Sequence, residues 1–304
     1  MSDPVLSRRN LLLATAALPL APMAARAAAP MLGVDVTPFQ RVKLGQFEVT
    51  TLLAATATWP DPHSIFGLNA TAEEFAALSA EANIPTDQAH FFFTPTVVNT
   101  GAELVLFDTG MNPAGLKKAL ESAGYTADMV DVVVLTHMHG DHIGGLMEGG
   151  VPTFPNARYV SGRVEYDAWA AMGDATFDTN MRPLGDRTTM IEDGTSAFSG
   201  HTAMAAFGHT PGHMVHLIES EGKSLLIAAD FANHYIWSLA RPDWEVKFDM
   251  DKSAAAATRK KLLDMMATDK IPFVGYHMPW PGMGYIEPRA DAYHYVPLSY
   301  QLML

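Results

Sequence analysis

The sequence predicts an α/β domain, and three observations carry that prediction. Apolar runs of strand length alternate with helical patterns from Val42 to His277. No linker or low-complexity stretch interrupts them. Two segments also share one plan: NTGAELVLFDTG and ESEGKSLLIAAD each give a turn, an apolar strand and a terminal aspartate, which predicts two similar β-rich halves. With 304 residues, 48% hydrophobic and 17% charged, the chain has enough material for a sizeable core.

Each element follows in order. VKLGQFEVTTLLAA (42–55) alternates as one or two strands. A helix over Thr71–Ala82 opens on Thr71 with acids behind it. FFFTPTVVNTGAELVLFDTG predicts a hairpin turning at Thr100-Gly101, with Phe91-Phe92-Phe93 as sheet core and Asp108 at the end of a buried strand. A helix over Pro113–Ala123 stops at Gly124. VDVVVLT is a continuous apolar strand that runs into the loop THMHGDHIGG. In the second half ARYVSG is a strand, RVEYDAWAAM a helix and HTAMAAFG a strand, while MVHLIESEGKSLLIAAD is a hairpin turning at Glu221-Gly222 and closing on Asp230. A helix covers Lys252–Ala267, and IPFVGYH is the last strand, ending at His277.

Residues 1–27 have the pattern of a twin-arginine signal peptide: Arg8-Arg9, an apolar stretch from Leu11, and a small-residue cleavage site at Ala25-Arg26-Ala27. That predicts export through the twin-arginine machinery to the periplasm or beyond, with no stable membrane anchor after cleavage. Residues 28–41 then read as an N-terminal extension and 42–304 as a single domain. Cleavage removes three arginines and one aspartate from the 20 basic and 33 acidic residues, leaving a formal charge of −15. Such a surface repels phosphate backbones and excludes nucleic acid as a partner. The chain has no cysteine, so thiolate metal sites, Cys nucleophiles and disulfides are excluded too.

In THMHGDHIGG, His137 and His139 leave the strand on one face because side chains alternate with period two. After the bend at Gly140, Asp141 and His142 diverge from that pair, so two adjacent metal sites are the natural solution. Each is short of ligands, since such ions take four or more. GHTPGH, which places His213 after a Pro-Gly turn, Asp230 and His277 all follow apolar runs and are the candidates to complete them.

These motifs resemble the metallo-β-lactamase superfamily. THMHGDHIGG matches its His-x-His-x-Asp-His signature, and GHTPGH, Asp230 and His277 match its later motifs in order. LARPDWEVKFDMD and HMPWPGMGYIE are similar to the methyl parathion hydrolase branch. The resemblance implies an αββα sandwich with a dinuclear centre between the sheets. One ion would take His137, His139 and His213, the other Asp141, His142 and His277, with Asp230 bridging. Asp108 would support the loop from behind, and His209 would stabilise its turn. His234 is a candidate proton donor, and Trp169 and Trp280 are candidate pocket walls. His63, His90, His201, His216 and His294 receive no role. The branch also implies a homodimer, for which the sequence itself carries no signal.

Two divalent ions sharing a water would bring its pKa to about 7–9 and deliver hydroxide to a carbonyl or phosphorus centre, with Asp141 and Asp230 at the reacting water. Zinc is the default ion, and manganese, cobalt or iron suit the same N and O donors. Metallo-β-lactamases proper usually carry Cys or Ser where Asp230 stands, and glutathione-ester hydrolases need more basic residues than the single Arg289 near this C-terminus. The expected substrate is therefore a neutral ester: an aryl ester, a lactone or a phosphotriester. A β-lactam hydrolase and a non-catalytic metal-binding protein are the alternatives.

Overall fold

Period-two alternation decides which layer each strand side chain enters. The computed structural model describes residues 29–31, 33, 35–290 and 292–299; the signal-peptide reading of residues 1–27 lies outside them. The hairpin β1 (Phe39–Leu44) and β2 (Phe47–Leu52) is followed by a second, β3 (Ala55–Pro60) and β4 (Gln88–Phe93). Between the last two lies α1 (Ala72–Glu81), opened by a capping box in which Thr71 Oγ1 accepts the Glu74 N–H and the Glu74 carboxylate accepts the Thr71 N–H. Then come β5 (Thr96–Asn99), β6 (Leu104–Phe107), α2 (Pro113–Ser122), β7 (Val132–Leu135) and the one-turn helix α3 (Gly140–Ile143). The first half closes with β8 (Met147–Glu148), β9 (Val151–Pro152), β10 (Arg158–Gly162), α4 (Arg163–Met172), α5 (Ala175–Asn180) and β11 (Thr188–Ile191). The second half holds β12 (His201–Ala205), β13 (Met214–Ser220), β14 (Lys223–Ala229), α6 (Trp237–Ala240), α7 (Lys252–Asp269), β15 (Phe273–Gly275), β16 (Met283–Arg289) and β17 (Ala292–Pro297).

Seven strands form one sheet in the order β1-β2-β5-β6-β7-β10-β11, and six form another in the order β12 through β17. On β7, Val132 and Val134 enter the core between the sheets, while Val133 and Leu135 face α2 and α4. On β14, Leu225 and Ile227 enter that same central core, while Leu226 and Ala228 pack under α7. Helix, sheet, sheet and helix are thus four layers, the αββα sandwich expected, within the compact unit Thr37–Leu304. In each sheet the strands that carry functional residues are parallel neighbours: β6 with β7 and β14 with β15. Their carboxyl ends therefore release Asp108, His137, Asp230 and His277 on the same side as the chain direction dictates.

Three readings need correction. The first strand begins at Phe39, inside the segment read as an extension. Phe91–Phe93 lie in β4, which pairs with β3 in a separate two-stranded sheet and belongs to neither large one. IPFVGYH is not the last strand, because β16 and β17 follow it. Those two hid because their prolines and charges break the apolar pattern, and β17, at the edge, is half-buried or exposed throughout. Among the described residues, no helix is long and apolar enough to cross a membrane.

The glycine pair ending THMHGDHIGG admits the loop after β6: a Cβ on Gly144 would overlap the Met111 carbonyl, and one on Gly145 the Thr109 carbonyl. Gly145→Ala should lower stability by about 1–3 kcal/mol through this overpacking. Urea unfolding measures it, and a wild-type midpoint would show that the contact relaxes freely.

Candidate metal centre

Asp108, released by β6 with φ 59°, anchors the His-rich loop. Its Oδ1 accepts the Thr136 N–H at 2.9 Å and its Oδ2 the Thr136 hydroxyl at 2.8 Å. Oδ2 also faces His142 Nδ1 at 2.8 Å, so the carboxylate lies behind that ring. Thr109 grips the next turn, its N–H and hydroxyl both donating to the His142 carbonyl.

The imidazoles and carboxylates converge as two groups whose ligand atoms lie within 4.8 Å of one another. In the first, His139 Nδ1 is 3.1 Å from His137 Nε2 and 3.0 Å from His209 Nε2. In the second, His277 Nε2 is 3.4 Å from Asp141 Oδ2 and 3.2 Å from Asp230 Oδ2, and His142 Nε2 is 3.4 Å from Asp230 Oδ1. Asp230 Oδ2 also stands 3.4 Å from His209 Nε2, so one carboxylate lies between both groups.

Hydrogen bonds on the far nitrogens fix which lone pairs face inward. His142 Nδ1 donates to Asp108, His209 Nδ1 to Asp249 at 2.9 Å, and His277 Nδ1 to the Phe92 carbonyl at 2.9 Å. A neutral imidazole, the form that ligates a metal, has one N–H, so in that form each facing Nε2 is a bare acceptor. His142 Nε2 and Asp230 Oδ1 are buried with no hydrogen-bond partner, as cation ligands would be. Nitrogen and oxygen donors in this arrangement fit zinc and its first-row neighbours.

One assignment changes. His213, expected as a ligand, is used on both sides: Nδ1 faces the Ala206 carbonyl at 3.2 Å and Nε2 accepts the Asp230 N–H at 3.2 Å. His209, expected only to support the turn, supplies the inward nitrogen instead. Supports the sequence did not reveal surround the groups. Buried Glu165 accepts the Met138 N–H at 2.9 Å and, on its other oxygen, the Thr210 hydroxyl and Gly212 N–H at 2.8 Å, tying the two histidine loops together. Asn233 Nδ2 donates to Asp230 Oδ2 at 2.9 Å, and the Tyr276 hydroxyl donates to the Asp141 carbonyl at 2.5 Å.

Burial and neighbouring imidazoles hold His137 well below its ordinary pKa and bring His139 to about 3. Burial also disfavours charge on His277, yet Asp230 and Asp141 outweigh it and raise its pKa to about 10. His142 is raised in the same way, against burial, by Asp230, Asp108 and Asp141. The carboxylates thus create a potential that calls for positive charge at the second group.

A cavity of about 360 Å³ opens over both groups, with His139, Asp141, Asp230 and His277 in its lining. Its walls are Trp59, Phe91, Phe93, Met111 and Phe248. Sequence reading assigns Phe91 and Phe93 only a core role and misses Trp59 and Phe248. The alternation that turns Phe91 and Phe93 inward on β4 is the same for a core and for a cavity wall.

The sequence profile of the Metallo-beta-lactamase superfamily matches residues 94–273. This chain belongs to that superfamily. Among solved structures, AidC, a dizinc quorum-quenching lactonase in complex with a product, is 25% identical with a TM-score of 0.80, over 88% of this chain and 99% of that one. The hydrolase AbOPH has the same TM-score of 0.80 and the same coverage, 88% and 99%, at 23% identity. The uncharacterized protein YobT of Bacillus subtilis (strain 168) is 28% identical over 138 residues, which are 42% of this chain and 57% of YobT, so the match spans little more than half of that relative.

The remaining predicted residues of this superfamily member scatter around the centre. Trp169, 8% exposed, meets His139 edge-on at 5.7 Å between ring centres but does not line the cavity. Trp280 does not line it either. His234 lies in a neighbouring cavity with His90, Tyr235 and the other side of His277. Its Nδ1 accepts the Ile236 and Trp237 N–H groups at 3.2 Å, and burial brings its pKa to about 3. A neutral imidazole outside the cavity is a poor proton donor, which argues against the role expected of it.

Burial also lowers His201, to about 4. These two histidines stay neutral in the fold and gain a proton near the ordinary 6.5 when unfolded. Their contribution is flat above that pH and turns unfavourable below it, by about 2 kcal/mol each at pH 5. His234→Asn should flatten the loss of stability between pH 7 and pH 5 in urea unfolding; an unchanged slope would contradict it.

Proposed function

We propose that this protein is a dinuclear-metal hydrolase of neutral esters whose acyl or aryl part fills the aromatic cavity. One ion would be held by His137, His139 and His209 and the other by Asp141, His142 and His277, with the Asp230 carboxylate available to both. The observation that carries this reading is a cavity with both ligand groups in its floor and only aromatic and methionine side chains above them. Its volume, about 360 Å³, is at the small end of ligand sites. No lysine or arginine stands in that lining to favour an anionic substrate.

Bound divalent ions supply Lewis-acid polarisation of the ester oxygen and a water acidic enough to attack at neutral pH. The residues do the rest. Trp59, Phe91, Phe93 and Phe248 pack the apolar part of the substrate and exclude bulk water. Burial alone would raise the Asp141 pKa, but His142 and His277 bring it below its ordinary value, so Asp141 is ionised at neutral pH. At 23% side-chain exposure it can take a proton from the attacking water and return it to the leaving oxygen. Asp230 fixes the separation of the two positions. The dizinc lactonase AidC supports zinc and a lactone as first choices. Apart from Asp141 the cavity lining carries no acid to protonate a leaving alkoxide, which favours as a second reading the aryl esters and phosphotriesters, whose phenolate depends least on that proton. The paired arginines near the N-terminus support action after export as part of the same proposal.

Metal-loaded protein assayed on a lactone, an aryl ester, a phosphotriester and a β-lactam should turn over at least one of the first three. Activity should vanish on chelation and return with zinc. His139→Ala and Asp230→Ala should lose it altogether. His209→Ala should retain about one metal equivalent of two. Turnover of the β-lactam alone, or full metal occupancy with no ester hydrolysed, would overturn the reading.

A further inference from the structure

Behind His209 lies a buried ion pair that the chemistry above does not use. Asp249 Oδ1 faces His209 Nδ1 at 2.9 Å, and its Oδ2 accepts Arg259 Nη2 at 2.7 Å, with side-chain exposures of 1% and 0% for the pair. Arg259 reaches from α7 to three further backbone oxygens: Phe231, next to Asp230, at 3.1 Å through Nε, and Pro242 at 2.8 Å and Trp244 at 3.3 Å through Nη1. Lys252 Nζ donates to the Asp249 carbonyl at 3.0 Å. The backbones interlock as well, Met250 N–H donating to the His209 carbonyl and Asp251 N–H to the Gly208 carbonyl, both at 2.9 Å. A Cβ on Gly208, whose φ is +123°, would overlap the Ala255 nitrogen, so the turn is pressed against α7. Phe248, a cavity wall, is the residue before Asp249.

We infer that Asp249, held by Arg259, is a positioning residue with two outputs: it aims His209 Nε2 at the first ligand group and seats Phe248 against the substrate. Its carboxylate accepts the only N–H of the His209 ring, so the bare nitrogen must face inward. The same side chain is the buried anchor of the segment 242–250. Retention of the first metal and fit of the apolar part of the substrate are thereby coupled. This rests on the function proposed above.

Zinc affinity, measured on the full-length mature chain by chelator competition, tests it. In Asp249→Ala one of two equivalents should weaken about 10–100-fold, while the other keeps its wild-type affinity. The same variant should raise KM for a long-chain aryl ester more than for the acetate. Asp249→Asn keeps an acceptor for His209 but loses the charge facing Arg259, and should fall between; if the alanine variant does not fold, this one carries the test. Phe248→Ala should alter the KM ratio alone and retain both equivalents at wild-type affinity. Wild-type affinity for both ions in Asp249→Ala, or in Asp249→Asn where only that one folds, would overturn the inference, as would equal weakening of both. A wild-type chain that binds fewer than two ions would instead sink the function proposed, a separate result.

Discussion

Bare nitrogen lone pairs turned toward one buried carboxylate are the constraint on which the rest of the structure depends. His142, His209 and His277 each turn Nδ1 to an acceptor on the outside, so in the neutral, metal-binding form each presents an acceptor on the inside. Asp230 adds two more acceptor atoms at 3.2–3.4 Å from those nitrogens. Acceptors cannot satisfy one another, and a buried polar group without a partner costs about 1–3 kcal/mol. A cation resolves every one of these contacts at once. That is why the donor set, and not the mere count of histidines, carries the metal assignment.

The sandwich suits this demand because it fixes ligands from both halves without relying on mobile side chains. His137 leaves the first sheet and Asp230 the second, and the sheets are stitched close to the centre by Met214 N–H donating to the Thr136 carbonyl at 3.0 Å. Glu165 adds a second stitch by accepting from both histidine loops. Burial would push that carboxyl toward its neutral form, and its pKa is raised accordingly, while the bonds from Thr210, Gly212 and Met138 oppose the shift. His213 is a third stitch. By accepting the Asp230 N–H it orients the backbone that carries the shared carboxylate, and its Nε2 lone pair is spent there and not on the ligand groups.

How much of this could be read from sequence depends on how far apart the deciding partners lie. The loop THMHGDHIGG was legible because spacing alone fixes which of its side chains share a face. The αββα layers were implied by the resemblance and by two repeats of one strand plan, and they hold. Sequence reading ranks His213 above His209 as the ligand in GHTPGH, although nothing local separates them, because both sit beside the same Pro-Gly turn. What separates them is Asp249, forty positions on, facing one ring, and the Asp230 N–H occupying the other. Phe91 and Phe93 posed the same difficulty in apolar form. Their alternation says only that one face of β4 avoids water, and whether that face meets a core or a cavity depends on β3 and β4 standing outside both large sheets.

That last feature bears on how the protein selects a substrate. The ligands come mostly from the ends of sandwich strands, whereas Trp59, Phe91 and Phe93 come from the separate hairpin and Phe248 from the segment before α7. Side chains on these two elements can vary in size without disturbing a strand that delivers a ligand, so the reaction and its selectivity occupy different parts of the chain. The separation is incomplete at two places. Phe92 turns its side chain away from the site, yet its carbonyl fixes the His277 ring. Asp249 follows Phe248 in the chain and fixes the His209 ring. Each wall element therefore ends in a hydrogen bond to one metal-facing imidazole, one per ligand group. Moving a wall backbone, as opposed to trimming a wall side chain, necessarily turns a ligand.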